Sequence, residues 1–291
     1  MLTNKRLHKQ LALILLSGII LTILATSNYF SERQSDNSEP RNSKEENPEK
    51  EAIDFGFNTK ECTVSKNSER SLFFITPTHS SNVQLPNLVR LVQTLLLTDN
   101  VYWILVEDAK SINTTVQKML TAYNIKNFVY LAKESVHTKK GHRGVLQRNA
   151  GIDWLRSCRP SIPPGVVYFA DDDNTYDFKF LNLITKNTKD VSVFNVGLIA
   201  GWLYEGPKLD NDGVIVDWHT GWRGGRKFCV DMAGFAVDLD LLLEKAMVFS
   251  LDSAPGYLED ALLRGLVSSI KELQFIPGNN IVNVWHTKTR W

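Results

Sequence analysis

The chain has 291 residues, with 33 Lys+Arg against 32 Asp+Glu and a formal net charge of +1. Apolar residues make up 43% and charged residues 22%, an ordinary globular balance with no bulk charge to draw nucleic acid. Three cysteines, none in a CxxC pair, exclude a disulfide-dense scaffold and lend no support to a zinc ribbon or a thioredoxin-like site.

Residues 1–9 are short and basic, with Lys5, Arg6 and Lys9. From Gln10 to Ser31 no residue is charged, and the centre reads LALILLSGIILTILATS. A helix of that composition spans a bilayer, which takes roughly 20 residues. The basic flank places the N-terminus in the cytoplasm. Residues 10–31 are therefore read as an uncleaved type II signal anchor. A cleaved signal peptide ending near Ala25-Thr26-Ser27 is the competing reading. Either segment exports the chain beyond residue 31. Residues 32–70 are read as a luminal stem, because Ser31–Glu51 contains no aliphatic or aromatic residue to offset its ordering entropy. Asn113-Thr114-Thr115 is an N-glycosylation sequon, usable in a luminal domain. Cys62, Cys158 and Cys229 would lie in an oxidising compartment, where one pair could bridge; the spacing does not select it.

Residues 71–291 form the folded domain. SLFFIT (71–76) reads as its first strand. A helix is expected over 86–97, where Leu88, Leu91, Val92 and Leu95 make an apolar stripe and Pro86 suits the first turn. VYWILVED (101–108) is a buried-type strand ending in acids. A helix over 113–123, a strand FVYLA (128–132), a helix over 143–156 and a strand VVYFA (166–170) come next. This alternation predicts an α/β domain with a mostly parallel sheet. In such sheets ligands bind beyond the carboxyl ends of the strands, where Glu107-Asp108 and Asp171-Asp172-Asp173 fall. The second half is turn-rich and ends in a helix near 256–268. No P-loop or GxGxxG sequence is present.

The acidic triplet in VVYFADDDNTYD is the sharpest feature. Three adjacent aspartates repel one another unless a cation or donors compensate. Hard divalent cations prefer carboxylate oxygens and often bridge them to substrate phosphates. Asp171-x-Asp173-x-Thr175 also fits the DxDxT motif of haloacid-dehalogenase-like phosphatases, whose first Asp is a nucleophile. That motif usually opens its domain, and it ranks below the metal–nucleotide reading.

Several segments together resemble the β-1,3-glucuronosyltransferase family of type II Golgi enzymes, glycosyltransferase family 43. They are TPT (76–78), WILVEDA (103–109), HRGVLQRNAGIDWLR (142–156), VVYFADDDNTYD (166–177), YEGP (204–207), HTGWRGGRKFCVDMAGFAVDL (219–239), YLEDALL (257–263) and VWHTKTR (284–290). The resemblance implies a GT-A-like fold and a Golgi membrane location with the catalytic domain luminal. It implies Mn²⁺-dependent, inverting transfer of glucuronic acid from UDP-glucuronic acid to the 3-hydroxyl of a terminal galactose. The proteoglycan linker Gal-Gal-Xyl is the favoured acceptor and a Galβ1-4GlcNAc antenna the other. Asp173 is implied as the metal ligand, with Asp171 and Asp172 as ribose and nucleotide contacts. Pro77, Thr78 and His79 would line the uracil site, with Asp108 accepting from the base. Arg143 and Arg148 would face the donor, and His286, Thr287 and Lys288 would approach the diphosphate. Glu259 is implied as the catalytic base, and Glu205, Trp222, Arg226 and Asp231 as acceptor contacts.

The chain departs from the family pattern at His79, where Tyr is usual, at Leu146, where an acid is common, and at Lys288, where Arg is usual. Lys lacks the two-pronged fork of Arg for phosphate oxygens. These departures motivate an alternative, a catalytically silent family member that binds glycans. The chain stops at Trp291, short of the tail that contributes to a dimer in that family, so a homodimer is not the expectation.

Overall fold

A computed structural model describes Cys62, residues 69–135 and residues 143–289. The expected cytoplasmic tail, anchor and most of the stem lie outside these residues, as does His142. Among the described residues no helix is long and apolar enough to cross a membrane.

The apolar runs form the strands β1 (Ser71–Thr78), β2 (Val101–Glu107), β3 (Phe128–Ala132) and β4 (Gly165–Phe169). Successive side chains on a strand point to opposite faces, so a strand apolar at every position must be covered on both. In β1, Phe73 and Ile75 join one core cluster while Leu72 and Phe74 join the other. The first cluster is completed by α3 (Val145–Cys158), α5 (Leu239–Glu244) and α6 (Leu258–Leu266). The second is completed by α1 (Gln84–Leu95), α2 (Thr114–Ala122) and α4 (Phe178–Asn187).

With β6 (Val191–Val193), β10 (Phe235–Asp238) and β11 (Gln274–Phe275), these strands make a seven-stranded sheet in the order β11-β6-β10-β4-β1-β2-β3. In it β10 runs against its neighbours, and the remaining pairs are parallel. The mostly parallel sheet is the one the alternation predicted. A second, five-stranded sheet has the order β5-β12-β7-β8-β9. Its members are β5 (Thr175–Tyr176), β7 (Val196–Gly197), β8 (Tyr204–Leu209), β9 (Ile215–His219) and β12 (Val284–Trp285). It joins distant parts of the chain: β5 lies just after the acidic triplet, β8 carries Glu205, and β12 leads into His286.

Two helix boundaries shift for local reasons. The helix expected from 143 begins at Val145, because Gly144 is left-handed at φ 74°. Glycine alone adopts that conformation without strain. The helix expected from 86 begins at Gln84, which leaves Pro86 within the first turn, where its missing N–H is harmless.

Cys62 and Cys158 are bridged, and Cys229 is free and buried. The bond closes a loop with a sequence separation of 96, tying the segment before β1 to the end of α3. Replacing both cysteines by serine is expected to remove about 2–4 kcal/mol of stability. For a domain of this size that lowers the melting temperature by roughly 5–15 °C in calorimetry. An unchanged melt would show that the bond contributes nothing.

Candidate active site

Beyond the carboxyl ends of β1, β2 and β4 lies a cavity of about 440 Å³. Pro77, Thr78, His79, Asp108, Arg143, Arg148 and all three acids of the triplet line it, so nine of the expected donor residues come together there. Gly144 and Gln147, not anticipated from the sequence, line it too. The N-terminus of α3 borders the cavity, and its positive end favours anions. Gly144 is needed for space as well as for its φ. A Cβ there would sit 2.5 Å from Arg148 Nη1 and 3.1 Å from Pro77.

The three acids are held differently. Asp171 is ion-paired with the buried Arg148. Asp172 accepts from Thr78 Oγ1 at 2.6 Å. Burial nevertheless pushes the Asp172 carboxyl up to about 6, aided by Asp173 and Asp171 and opposed by the Thr78 bond. Burial raises Asp173 as well, with Asp171 adding to the effect and His286 and Lys288 opposing it. Asp172 and Asp173 are thus desolvated beyond what their donors offset. Among the described residues no group of three or more His, Cys, Asp or Glu could hold a metal alone. A hard cation at Asp173 would complete its shell from water or substrate oxygens, a set such ions accept. The residues therefore fit a cation shared with a phosphate ligand.

His286, Thr287 and Lys288 come from the far end of the chain and lie against the triplet. The His286 N–H donates to Gly197 O at 2.9 Å. Thr287 Oγ1 donates to Asp173 O at 2.6 Å, and Arg90 of α1 donates to the same carbonyl at 2.6 Å. Thr289 Oγ1 reaches Asn87 Oδ1 at 2.5 Å. Helix α1 and the C-terminal segment thereby clamp the main chain at Asp173.

The expected acceptor residues form a second cluster. Glu205 Oε1 accepts from Gly221 N at 2.7 Å and Thr220 Oγ1 at 3.0 Å, which fixes the loop carrying Trp222. The Arg226 guanidinium lies 4.5 Å over the Trp222 ring and donates to Trp222 O. Tyr257 packs edge-on against Trp222 at 5.5 Å and donates to Gly224 O. Asp231 caps a short 3₁₀ turn by accepting from Ala233 N at 2.9 Å. Burial raises its carboxyl, with Asp171 and Glu205 adding and the Ala233 bond opposing.

Glu259 stands in the first turn of α6. Burial pushes its carboxyl up to about 7, and Asp231 adds to this, against a backbone hydrogen bond, Arg148 and Arg226. Its helix-terminal position alone would favour the charged form; desolvation wins. The partners matter, because Arg148 lines the cavity and Arg226 belongs to the Trp222 cluster. Glu259 thus feels charges from both groups.

Several placements were not legible locally. Asp108 accepts from Ser135 N at 2.7 Å and Ser135 Oγ at 2.8 Å, leaving lone pairs free for another donor. Glu107, read with Asp108 as a strand-end acid, does end β2, and it is buried. It accepts from Gln84 Nε2 at 3.0 Å and from Tyr130. Alternation along β2 turns the two acids to opposite faces. Asp260 accepts from Lys227 N, Phe228 N and Arg264 Nε, anchoring the loop after Trp222 to α6. Only its i,i+4 spacing to Arg264 hinted at this. Asn113, the sequon residue, caps α2 through Oδ1 and points Nδ2 at Gln84 Oε1 at 3.4 Å.

The model of glycosyltransferase family 43 matches residues 91–290. Galactosylgalactosylxylosylprotein 3-beta-glucuronosyltransferase 3 of Homo sapiens is 41% identical over 239 residues, covering 75% of this chain and 70% of the relative. The human enzyme numbered 2 is 38% identical over 226 residues, covering 75% and 69%. Enzyme 1 of Rattus norvegicus is 37% identical over 233 residues, again covering 75% and 69%. Among solved structures, residues 1–349 of S. aureus TarS share 15% identity at a TM-score of 0.46, over 75% of this chain and 60% of that one. A family match across more than half the chain, with relatives near 40% identity, places the chain in glycosyltransferase family 43.

Proposed function

We propose that the protein is an inverting β-1,3-glucuronosyltransferase. It uses UDP-glucuronic acid and Mn²⁺, acts on a galactose-terminated glycan, and works as a type II Golgi membrane enzyme with a GT-A-like catalytic domain. The observation that carries this reading is the buried Glu259 carboxyl, under the charges of Arg148 in an acidic and basic cavity and of Arg226 beside an exposed Trp. The names of the relatives supply the sugar and the acceptor class, including the Gal-Gal-Xyl linker.

In this reading Pro77, Thr78, His79 and Asp108 hold the uridine, and Asp171 and Asp172 contact the nucleotide and its ribose. Arg143, Arg148, His286, Thr287 and Lys288 surround the diphosphate. Asp173 holds the cation, which supplies charge stabilisation for the departing phosphate. Trp222 offers its face to the terminal galactose, and Glu205, Arg226 and Asp231 bond its hydroxyls. Glu259 takes the proton of the galactose 3-hydroxyl as that oxygen attacks the anomeric carbon. A C–O bond forms, the bond to UDP breaks on the opposite face, and the configuration inverts. Fixed cations near the diphosphate favour the transition state over the ground state, because negative charge grows there as the bond breaks.

The DxDxT phosphatase reading meets a physical obstacle, since its nucleophile would be Asp171, which is engaged by Arg148. The test is a transfer assay on the full-length protein with UDP-glucuronic acid and either Galβ1-3Gal or Galβ1-4GlcNAc, in Mn²⁺ and in chelator. Mn²⁺-dependent product with a β linkage at the 3-hydroxyl is expected, and the better acceptor identifies the glycan class. No product from folded protein that still binds the disaccharides would favour the silent glycan-binding alternative.

A further inference from the structure

Two polar residues beside Asp108, Ser135 and Gln147, are used by none of the steps above. Gln147 stands in the first turn of α3, wholly buried in the cavity wall. Its Nε2 donates to Lys133 O at 2.6 Å and to Ser135 Oγ at 3.1 Å, both in the segment after β3. Ser135 in turn donates to Asp108 from N to Oδ1 at 2.7 Å and from Oγ to Oδ2 at 2.8 Å. The end of β2, the segment after β3 and the start of α3 are thereby joined at one carboxylate.

Proton count fixes the direction of these bonds. An ionised carboxylate only accepts, so the single hydroxyl proton of Ser135 goes to Asp108. That leaves Ser135 Oγ as the acceptor toward Gln147. The Lys133 carbonyl is an acceptor too. Both neighbours therefore need the N–H side of the Gln147 amide, and a flipped amide would set Oε1 against Lys133 O. Gln147 Oε1 is buried with no hydrogen-bond partner among the described residues. Buried polar atoms are rarely left so. The amide is held for its donor end, and that end serves Asp108 through Ser135.

Asp108 is consequently limited in what it can bind. Each of its oxygens already takes one bond from Ser135, and it has spare lone pairs but no proton to offer. A carboxylate fixed in this way attracts a ring N–H and repels a ring nitrogen lone pair. The N3 of uracil carries a proton; the N3 of cytosine carries a lone pair. The next residue of α3, Arg148, pairs with Asp171, so one helical turn steadies two acids of the cavity.

We propose that Ser135 and Gln147 are positioning residues that lock Asp108 as a fixed acceptor for a nucleobase N–H, and so set the preference of the site for uracil over cytosine. The inference rests on the donor half of the glucuronosyltransferase reading and adds to it the residues that enforce the choice of base.

The experiment titrates UDP and CDP, in Mn²⁺, into full-length wild type, Ser135→Ala, Ser135→Thr and Gln147→Leu by calorimetry. The two nucleotides share ribose, diphosphate and cation, so the ratio of their affinities reads the base alone. Wild type is expected to prefer UDP, and a wild type without preference would overturn the proposal. Ser135→Ala should lower the UDP-to-CDP ratio about tenfold, the effect of one lost hydrogen bond to a charged group. Ser135→Thr should keep the ratio. Gln147→Leu should lower it by a similar factor, and adding Ser135→Ala should lower it no further, because both act through one chain of bonds. If Gln147→Leu does not fold, Ser135→Ala against Ser135→Thr decides. UDP and CDP weakened equally in Ser135→Ala would make the pair a mere support of the cavity wall and overturn the proposal, as would an undiminished ratio. A wild type that selects UDP but transfers no sugar would end the transferase reading, and the Ser135→Ala ratio would still decide the proposal. A wild type that binds neither nucleotide would end both.

Discussion

Glu259→Gln is expected to lower kcat by about 10³-fold while UDP affinity stays within a factor of two, because a lost general base typically forfeits 10²–10⁴. Glutamine keeps the size of the side chain but cannot accept the proton of the attacking hydroxyl. The same residue sets the pH response. Only its carboxylate accepts a proton, and burial places its titration at about 7. In wild type kcat/KM should therefore rise with pH up to about 7 and level off above it. The folding consequence has the opposite sign. The folded state holds the Glu259 proton more tightly than the unfolded chain, whose carboxyl has the ordinary value of 4.5. Stability is therefore lost as pH rises from 4.5 through about 7. Glu259→Gln escapes that loss, so it should melt above wild type at pH 8, with the gap closing on acidification. A variant that is inactive yet more stable at pH 8 would mark a carboxyl kept for chemistry. Near-wild-type turnover would remove Glu259 from the mechanism.

Asp173→Asn carries the second large effect. Mn²⁺ should tighten UDP binding to wild type, read by calorimetry, and should quench the electron-spin signal of free Mn²⁺ when UDP is present. In Asp173→Asn both responses should vanish, and transfer should fall on the order of 100-fold or more, since even indirect partners of a metal typically contribute 10–100-fold. The fold should survive, because Arg90 and Thr287 hold the Asp173 carbonyl rather than its carboxylate. An undiminished Mn²⁺ response in folded Asp173→Asn would move the cation to another member of the triplet.

The central sheet was legible because its strands are buried on both faces, which leaves unbroken apolar runs such as SLFFIT and VYWILV. The small sheet was not. β5, β7 and β12 are two residues long, too short to show a period. They exist because Val196, Val284 and Tyr176 pair across the fold. In the candidate site, the triplet announced itself through local charge density. Arg90, Ser135, Gln147 and Asp260 did not, since each acts through a partner remote in sequence or through a main-chain atom. Ser135 binds Asp108 and Asp260 binds two amides near Phe228, contacts with no signature in composition or spacing. The sequon has a second reading. Asn113-Thr114-Thr115 is also an ordinary helix start, and the Asn113 amide is engaged on both of its atoms.

The clamp on the Asp173 carbonyl bears on the order in which the molecule is made. Chains emerge from the ribosome N-terminus first, and domains begin to fold as they emerge. The strands β1 to β4 and their helices can assemble early. The clamp at Asp173 is completed only when Thr287 and Thr289 arrive, 114 residues after Asp173 and 202 after Asn87 respectively. The early part of the scaffold thus exists before the main chain at Asp173 acquires its last support, which arrives together with the final core residues Ile276 and Val284. A chain released just before Thr287 would lack the Thr287 bond to the Asp173 carbonyl and keep the one from Arg90. The last bonds that fix the main chain beside the triplet are therefore among the last the chain can make.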